Sequence, residues 1–333
     1  MQEMATVSIA GAAGYTGQET LDRVLAHPHL ELHALGSNSL AGKDASSLDP
    51  RLRRTNGRAL PRFITNEAAL AAEADITFLC LAHEEAAEVE VGGRGVVIDL
   101  SGAHRLRDAS LYERWYAFDH PHPESLGSWV YGLPELQPPT GRLIANPGCY
   151  ATATLLALGP IKDAVDPTSV VVDAKSGMTG AGRSLKAFTH AGSVLENFLP
   201  YKVGVHQHVP EITQLLGFPV SFTPHLLPLR RGLVATCYVR STGPDLRAML
   251  EEHYAGSRVI NVLPEGVAPE LARVQSTDTA EIGVFEDGFT DRTIIVCAED
   301  NLGKGAAGQA VQNANILFGW EETAGLRLAG VLV

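Results

Sequence analysis

The chain has 333 residues, of which 45% are hydrophobic and 19% charged, so it is long enough for two domains and too apolar for a disordered protein. Its 26 basic and 38 acidic residues give a formal net charge of −12, which disfavours a nucleic-acid partner. The sequence has neither an apolar run near the roughly 18 residues of a membrane span nor an N-terminal secretory signal, so we expect a cytoplasmic protein without a membrane partner.

The first half of the chain alternates predicted strands with predicted helices. The patterns predict strands over residues 5–10, 30–36, 75–82 and 95–100, and helices over residues 18–26 and 84–91. This alternation indicates a doubly wound parallel sheet, so the predicted fold class is α/β.

The second half of the chain predicts a different kind of sheet. A helix over residues 150–161 is followed by strands over 169–174, 219–223, 233–240 and 293–299, with helices over 245–254 and 305–320. Here strands follow one another without regular helical crossovers, which is typical of an α+β domain with a mixed sheet.

A glycine turn follows the first predicted strand. Gly11, Gly14 and Gly17 form a GxxGxxG variant of the Rossmann dinucleotide fingerprint, between a strand and a helix. Because glycine has no side chain, a pyrophosphate can approach the backbone closely at the helix N-terminus. The alternative is an ordinary strand-to-helix turn in which the glycines serve packing.

The end of the second predicted strand bears on the choice of cofactor. An NAD site usually has an acidic residue there, whereas this chain has Ser37 and Ser39, with Lys43 close behind. Hydroxyls and an ammonium suit a 2′-phosphate, so the sequence predicts NADP.

Cys149 stands out among the four cysteines. It follows Pro147-Gly148 and precedes a predicted helix, where the helix N-terminus is expected to lower the thiol pKa and favour the nucleophilic thiolate. The other three lie in apolar strands and are expected to be buried thiols. No CxxC pair occurs, so neither a disulfide frame nor a metal site is expected.

Three further polar groups are candidates for the same site. His206 and His208 are expected to share one face of a strand and to supply a base, or alternatively to bind zinc. Residues 175–183 are predicted to form a glycine-rich anion-binding loop, or a flexible surface loop. Arg105, after the fourth strand, is expected to hold an anion or to form a surface ion pair.

Eight stretches, in the same order along almost the whole chain, resemble the N-acetyl-γ-glutamyl-phosphate reductase family, the arginine-biosynthesis branch of the aspartate-semialdehyde dehydrogenase group. They are GAAGYTGQE from Gly11, DLSGAHRLRD from Asp99, YGLPEL from Tyr131, NPGCYATA from Asn146, DAKSGMTGAGR from Asp173, ENFLPYKVGVHQHVPEI from Glu196, FTPHLLPLRRGL from Phe222 and DNLGKGAAGQAVQN from Asp300.

The resemblance implies a reaction. Cys149 would attack an acyl phosphate, phosphate would leave, and hydride from NADPH would reduce the thioacyl-enzyme to a semialdehyde. His206 would be the general acid/base, with His208 as the alternative. The backbone N–H of Cys149, with Asn146, would stabilise the oxyanion.

The resemblance also implies the remaining site residues. The cofactor would be bound by Gly11, Gly14, Tyr15, Thr16, Gly17, Ser37, Ser39, Ser176, Gly177, Asn301 and Gly303. The substrate would be bound by Arg105, Asn146, Arg183, His208 and Glu211, with Glu211 ordering His208 or Arg230. No metal is implied.

Residues 1–147 and 305–333 would form the dinucleotide-binding domain, and residues 148–304 the catalytic and oligomerisation domain of a homodimer or homotetramer. Three alternatives remain open. They are the homologous carrier-protein-linked aminoadipyl-phosphate reductase of lysine biosynthesis, a cysteine acyltransferase or hydrolase, and a non-catalytic NADP-binding sensor.

Overall fold

The structure is a computed structural model that describes residues 4–54, 60–184, 187 and 190–330. Its first sheet has six strands, all of whose pairings are parallel. In chain order they are β1 Ala5–Ala10, β2 Leu30–Leu35, β3 Ile76–Leu79, β4 Val96–Asp99, β5 Val130–Tyr131 and β6 Leu143–Ala145. Their order in the sheet is β2-β1-β3-β4-β6-β5, which confirms the predicted doubly wound fold.

Four helices accompany this sheet in the described part of the chain. They are α1 Tyr15–Ala26, α2 Asn66–Ala71, α3 His83–Ala87 and α4 Leu111–Tyr116. All four residues of β3 are buried, as expected for a parallel strand covered on both faces. The carboxyl ends of the parallel strands face one edge, where α/β proteins place their ligands.

The second sheet has seven strands in the order β11-β12-β13-β10-β7-β9-β8. They are β7 Val171–Gly177, β8 Leu199–Pro200, β9 Ser221–Leu227, β10 Leu233–Val239, β11 Ile260–Val262, β12 Ala280–Asp287 and β13 Arg292–Glu299. Parallel and antiparallel pairs occur together, which confirms the predicted mixed sheet.

The described part of the second half contains six further helices. They are α5 Cys149–Leu158, α6 Ala191–Val194, α7 His208–Leu216, α8 Leu246–His253, α9 Leu271–Val274 and α10 Gly308–Leu317. Helix α5, which begins at Cys149, packs against β10 and β13 and covers one face of this sheet. The opposite face of the sheet, with Thr223, Val234 and Ile294, stays half-buried and has no covering layer among the described residues.

The C-terminal segment turns back to the first sheet. A π-helical turn, Gly303–Ala307, leads into α10, which packs against α1. Ala310 and Val311 join the buried core of the six-stranded sheet. This packing is the one expected if residues 305–333 return to the dinucleotide-binding domain. Within the described ranges, no helix has the length and apolar character needed to cross a membrane.

Two local predictions are wrong. His206 and His208 do not share the face of a strand, because His208 begins helix α7, whose third residue, Pro210, fits the first turn of a helix. Lys175, Ser176 and Gly177 are not part of a loop but the end of β7. Strand β12 is not predicted by its sequence pattern, because a glycine and acidic residues interrupt the apolar residues.

Candidate active site

The glycine turn joins β1 to α1, and a side chain would meet different surroundings at each of its three glycines. Gly11 has φ +82°, and a side chain there would overlap the backbone oxygen of Cys80. A side chain at Gly17 would overlap the turn itself, 2.6 Å from the Cα of Ala12. Packing therefore explains these two glycines, as the alternative interpretation held. At Gly14 the nearest atom would lie 3.4 Å away.

The turn nevertheless presents an anion site. Helix α1 has 12 residues and is preceded by Gly14, which has no side chain to cap the helix N-terminus. The first turn of α1 lies within the described residues and contains no acidic residue. The backbone amides of Tyr15, Thr16 and Gly17 stand at the positive end of the helix and lack acceptors inside it. Such a terminus fits the pyrophosphate of a dinucleotide.

Arg183 reaches this turn from the other half of the chain. Its guanidinium donates a hydrogen bond to the backbone oxygen of Ala13 at 2.6 Å. The side chain is exposed, so its other nitrogens face the solvent beside the turn. This position favours a contact with the cofactor over the substrate contact that the sequence predicted.

A cleft of about 350 Å³ continues from this region between the two halves of the molecule. Tyr15 and Gln18 of α1 line one side, and Thr179 and Arg230 line the other. Arg230 therefore borders the same cleft as helix α1.

The predicted ribose site lies at the end of β2. Ser37 is buried, and its hydroxyl lies 3.3 Å from that of Ser39. Ser39 and Lys43 are exposed, so their polar groups are available to a ligand. The side chain of Asn38, between the two serines, accepts a hydrogen bond from the backbone of Asn66 at 2.9 Å.

Cys149 lies at the first position of α5, directly after a sharp turn at Gly148. The backbone N–H of Gly148 donates to Glu211 Oε1 at 2.8 Å. A side chain at Gly148 would overlap His208 and come within 2.6 Å of the Arg105 guanidinium. The elbow is therefore held from three sides, and only glycine fits.

The ionisation of Cys149 differs from the sequence prediction. The pKa of the Cys149 thiol is raised to about 12, chiefly by burial and next by the Glu299 carboxyl. Arg105 and the backbone N–H of Tyr150 act in the opposite direction. The predicted lowering of this pKa is wrong, because loss of solvent and a nearby carboxyl outweigh the helix N-terminus.

The two histidines lie together beside the elbow. Their rings are 4.8 Å apart, and the ring of Tyr150 is 5.4 Å from His206 and 5.9 Å from His208. Burial lowers the pKa of His206 to about 3, with the charge of Lys202 acting in the same direction, so its imidazole is neutral at neutral pH.

Hydrogen bonding assigns the tautomer of His206. The backbone N–H of His208 donates to His206 Nδ1 at 3.3 Å, so the proton of the neutral ring lies on Nε2. The His208 ring is also buried, and its Nδ1 has no hydrogen-bond partner in the described part of the chain. The geometry leaves both histidines next to the nucleophile helix.

Arg105 and Glu211 form the buried support of the elbow. Glu211 Oε1 also accepts from the hydroxyl of Tyr131 at 2.6 Å, and its Oε2 lies 3.7 Å from Arg105. Arg105 donates to the backbone oxygens of Asn146 at 2.8 Å and of Leu100 at 2.9 Å. The alternative of a surface ion pair at Arg105 is wrong. In the described part of the chain, the partners of Glu211 are Tyr131, Gly148 and Arg105, and the expected contact with His208 or Arg230 is not observed.

Four other residues predicted to bind a ligand contact neighbouring protein groups, through hydrogen bonds or close backbone packing. The Asn146 amide donates to Ala306 and accepts from Asn313, and the Asn301 amide accepts from the backbone of Gly232 at 2.8 Å. A side chain at Gly177 would lie 2.8 Å from the backbone of Arg231, and one at Gly303 would overlap Thr277. These residues shape the walls of the site.

Sequence reasoning missed two residues at the nucleophile. A side chain at Gly305 would lie 2.8 Å from Cys149 Cβ and 2.6 Å from Glu299 Oε1. The sequence did offer one indication of Glu299: it is the last residue of strand β13, directly before the stretch from Asp300 that resembles the reductase family.

The zinc alternative for the two histidines finds no further ligands. In residues 4–54, 60–184 and 190–330, no group of three or more His, Cys, Asp or Glu side chains is placed to hold a metal ion.

Comparison with known proteins identifies the family. A profile described as "Semialdehyde dehydrogenase, NAD binding domain" matches residues 6–142, and one described as "Semialdehyde dehydrogenase, dimerisation domain" matches residues 149–301. The chain is 41% identical to the N-acetyl-gamma-glutamyl-phosphate reductase of Desulforudis audaxviator, over 98% of this chain and 99% of that protein. It is 43% identical to the protein of that name from Salinispora tropica, over 98% of each chain.

Solved structures agree on the fold. Aspartate semialdehyde dehydrogenase II from Vibrio cholerae, complexed with ASA, matches with a TM-score of 0.72 and 21% identity, over 94% of this chain and 98% of that chain. The aspartate semialdehyde dehydrogenase with NADP from Candida albicans matches with a TM-score of 0.61 and 17% identity, over 94% and 98% of the two chains. The chain thus belongs to the N-acetyl-γ-glutamyl-phosphate reductases, a family of semialdehyde dehydrogenase-type oxidoreductases.

Proposed function

We propose that this chain reduces N-acetyl-γ-glutamyl phosphate with NADPH to N-acetylglutamate semialdehyde and phosphate, in the cytoplasm and as a step of arginine biosynthesis. The observation that carries the proposal is the elbow: Cys149 begins α5, and Glu211, His208 and Arg105 hold the turn before it. This arrangement in a member of the reductase family supports a thioacyl mechanism.

The first step is attack of the Cys149 sulfur on the acyl carbon. A sulfur–carbon bond forms, the carbon–oxygen bond to phosphate breaks, and phosphate leaves with the electron pair. The thiol must first lose its proton, since the thiolate is the nucleophile. The backbone N–H of Tyr150 and the charge of Arg105 both favour the thiolate.

The acyl oxygen gains negative charge as the tetrahedral intermediate forms. The backbone N–H of Cys149 stands at the N-terminus of α5, where such donors stabilise an oxyanion. His206 presents a protonated Nε2 and is neutral, so it donates a hydrogen bond to this oxygen without a full charge of its own. His208 is the alternative donor.

The residues of the glycine turn fit a dinucleotide. The amides of Tyr15, Thr16 and Gly17, with Arg183 beside them, would hold the pyrophosphate. When bound, the nicotinamide supplies the hydride. The preference for NADP over NAD is part of the proposal, and Ser39 and Lys43 support it because both are exposed at the end of β2.

We also propose a homodimer or homotetramer assembled through the open face of the seven-stranded sheet. The match to a dimerisation domain establishes that the second half belongs to an oligomer-forming family. The half-buried side chains of this face, among them Val234 and Ile294, would be covered by a second copy.

The decisive assay runs the reaction in reverse. N-acetylglutamate semialdehyde, phosphate and NADP are mixed with the enzyme, and NADPH is followed by its absorbance. We expect a signal that depends on phosphate. Carrier-linked aminoadipyl semialdehyde is tested beside it, and faster turnover of that substrate would assign the chain to lysine biosynthesis.

Cys149→Ser tests the nucleophile. The variant should lose nearly all turnover, at least about 10³-fold, and keep NADPH binding, because the hydroxyl is a far weaker nucleophile. Activity close to that of the unmodified enzyme would reject the thioacyl mechanism. Loss of NADPH binding together with activity would point to misfolding.

A further inference from the structure

Glu299 is a buried carboxyl that the proposed reaction does not use. It ends β13, its side chain has no solvent exposure, and in the described part of the chain neither of its carboxyl oxygens has a hydrogen-bond partner. Buried polar groups are nearly always paired, so a carboxyl without partners calls for an explanation.

This carboxyl lies directly behind the nucleophile. The Cα of Gly305 is wedged between the two residues, since an ideal side-chain carbon there would be 2.6 Å from Glu299 Oε1 and 2.8 Å from Cys149 Cβ. Helix α5 also packs against β13 and against the π-helical turn that contains Gly305. The Glu299 carboxyl and the Cys149 side chain therefore face each other across Gly305.

Among the described residues, no lysine, arginine or histidine forms an ion pair with the Glu299 carboxyl. Lys304 has a favourable influence, but its ammonium is bound to Glu135 Oε1 at 2.5 Å and to Gln312 Oε1 at 2.6 Å. Asp300 is held by Arg231 at 2.6 Å. The thiol of Cys297, on the same strand, is buried as well.

These surroundings favour the protonated carboxyl. Burial raises the pKa of Glu299 well above its usual range, the charges of Asp300 and Glu135 act in the same direction, and Lys304 opposes them. From the side of α5, the Glu299 carboxylate raises the pKa of Cys149, while Arg105 lowers it. Two negative charges this close in a buried site cannot both form easily.

We propose that Cys149 and Glu299 are coupled through space as two buried acids of which only one readily carries a charge, so that the nucleophile forms a thiolate readily only while Glu299 is a neutral carboxyl. Gly305 lies between the two side chains and neither carboxyl oxygen has a hydrogen-bond partner in the described part of the chain, so the coupling is electrostatic and no proton passes directly from sulfur to carboxyl. Glu299 is thus a positioning residue for the proposed nucleophile. Like coupled acids elsewhere, the two groups titrate as a pair.

The test measures alkylation of Cys149 by iodoacetamide between pH 6 and 10, in the full-length enzyme, with the modified peptide identified by mass. In Glu299→Gln the neighbouring charge is gone. We expect the apparent thiol pKa to fall by about one unit, so that alkylation becomes roughly tenfold faster at the alkaline end of this range, where Glu299 is ionised in the unmodified enzyme, and changes little at pH 7, where the carboxyl is neutral. Glu299→Asp, which keeps the carboxyl, should restore a profile close to that of the unmodified enzyme.

The matched control is Glu281→Gln. Glu281 is a buried glutamate on β12 of the same sheet, but it is paired with Arg273 at 2.8 Å. Its removal should leave the alkylation profile of Cys149 unchanged. An unchanged profile in a folded Glu299→Gln variant would overturn the proposal.

A second measurement does not depend on a variant that folds. In the unmodified enzyme, infrared difference spectra should show a buried carboxyl that is protonated at pH 7 and ionises as the pH rises, and the rise of the Cys149 alkylation rate with pH should flatten over the same pH range. A carboxyl that is already ionised at pH 7 would also overturn the proposal. Neither measurement uses substrate or cofactor, so failure here leaves the reductase function standing, and failure of the reductase assay leaves this coupling testable.

Discussion

At the scale of single residues, the elbow depends on the missing side chain of Gly148. Gly148→Ala places a methyl group against His208 and 2.6 Å from Arg105, so the buried support must move. Because a shift of about 1 Å at a reacting group can cost roughly 10²-fold in rate, we expect a loss of that size in kcat. Gly92→Ala is the control, since nothing lies within 4 Å of its added carbon. Equal kcat values for the two variants would contradict this account.

The buried state of His206 predicts a pH dependence of stability. Its pKa falls from 6.5 to about 3 on folding, so the unfolded chain binds more protons between these values. The stabilising contribution of the neutral ring is therefore complete above pH 6.5 and is lost as the pH falls towards 3. Urea unfolding between pH 5 and 6.5 measures how the free energy of unfolding rises with pH. This rise should be less steep in His206→Asn, by up to about 1.4 kcal/mol per pH unit. Parallel slopes would show that His206 is not buried as a neutral ring.

At the scale of elements, the N-terminus of α1 and the segment after β7 together form the proposed cofactor site. Arg183→Ala removes the guanidinium that contacts Ala13. We expect the KM for NADPH to rise about tenfold, a loss of roughly 1.4 kcal/mol of binding free energy, while the KM for the acyl phosphate changes less than about twofold. Arg114→Ala, an exposed arginine on α4 beside Trp115, should change neither value. A selective rise in the KM for the acyl phosphate would return Arg183 to the substrate site.

At the scale of the whole molecule, a buried ionic network joins the two halves of the chain. Arg23 of α1 forms an ion pair with Asp278, which precedes β12. The Nε of Arg23 lies about 3 Å from both carboxylate oxygens of Asp278, and both side chains are fully buried. Glu19 of α1 likewise binds Arg231 at 2.6 Å, and Arg231 binds Asp300. The network links the cofactor helix to the strand ends that frame the nucleophile.

This network predicts a large stability effect. Arg23→Met leaves the Asp278 carboxylate buried without its charge partner, which should cost about 3–5 kcal/mol of the free energy of unfolding. Adding Asp278→Asn should recover part of that loss, because the uncompensated charge is removed. The exposed pair of Arg258 and Glu321 is the comparison, and Arg258→Ala should cost less than about 1 kcal/mol. Urea unfolding measures all three.

The negative total charge and the anionic ligands are compatible at this scale. The net charge of −12 belongs to the whole sequence, whereas Arg183 and the helix N-terminus stand at the glycine turn and Arg105 stands at the elbow. Local fields of this kind can oppose the net charge of a protein.

The sequence by itself determined what depends on neighbours along the chain. The alternation of strands and helices, the turn at Gly11 and the helix that begins at Cys149 follow from local sterics and periodicity. Tertiary structure alone decided which distant side chains meet. Three such contacts join residues more than 60 positions apart: the hydrogen bond between Gly148 and Glu211, the hydrogen bond between Arg183 and Ala13, and the approach of Glu299 to Cys149 across Gly305. The pKa of Cys149 belongs to this second group, because burial and unpaired charge arise only when the chain is packed.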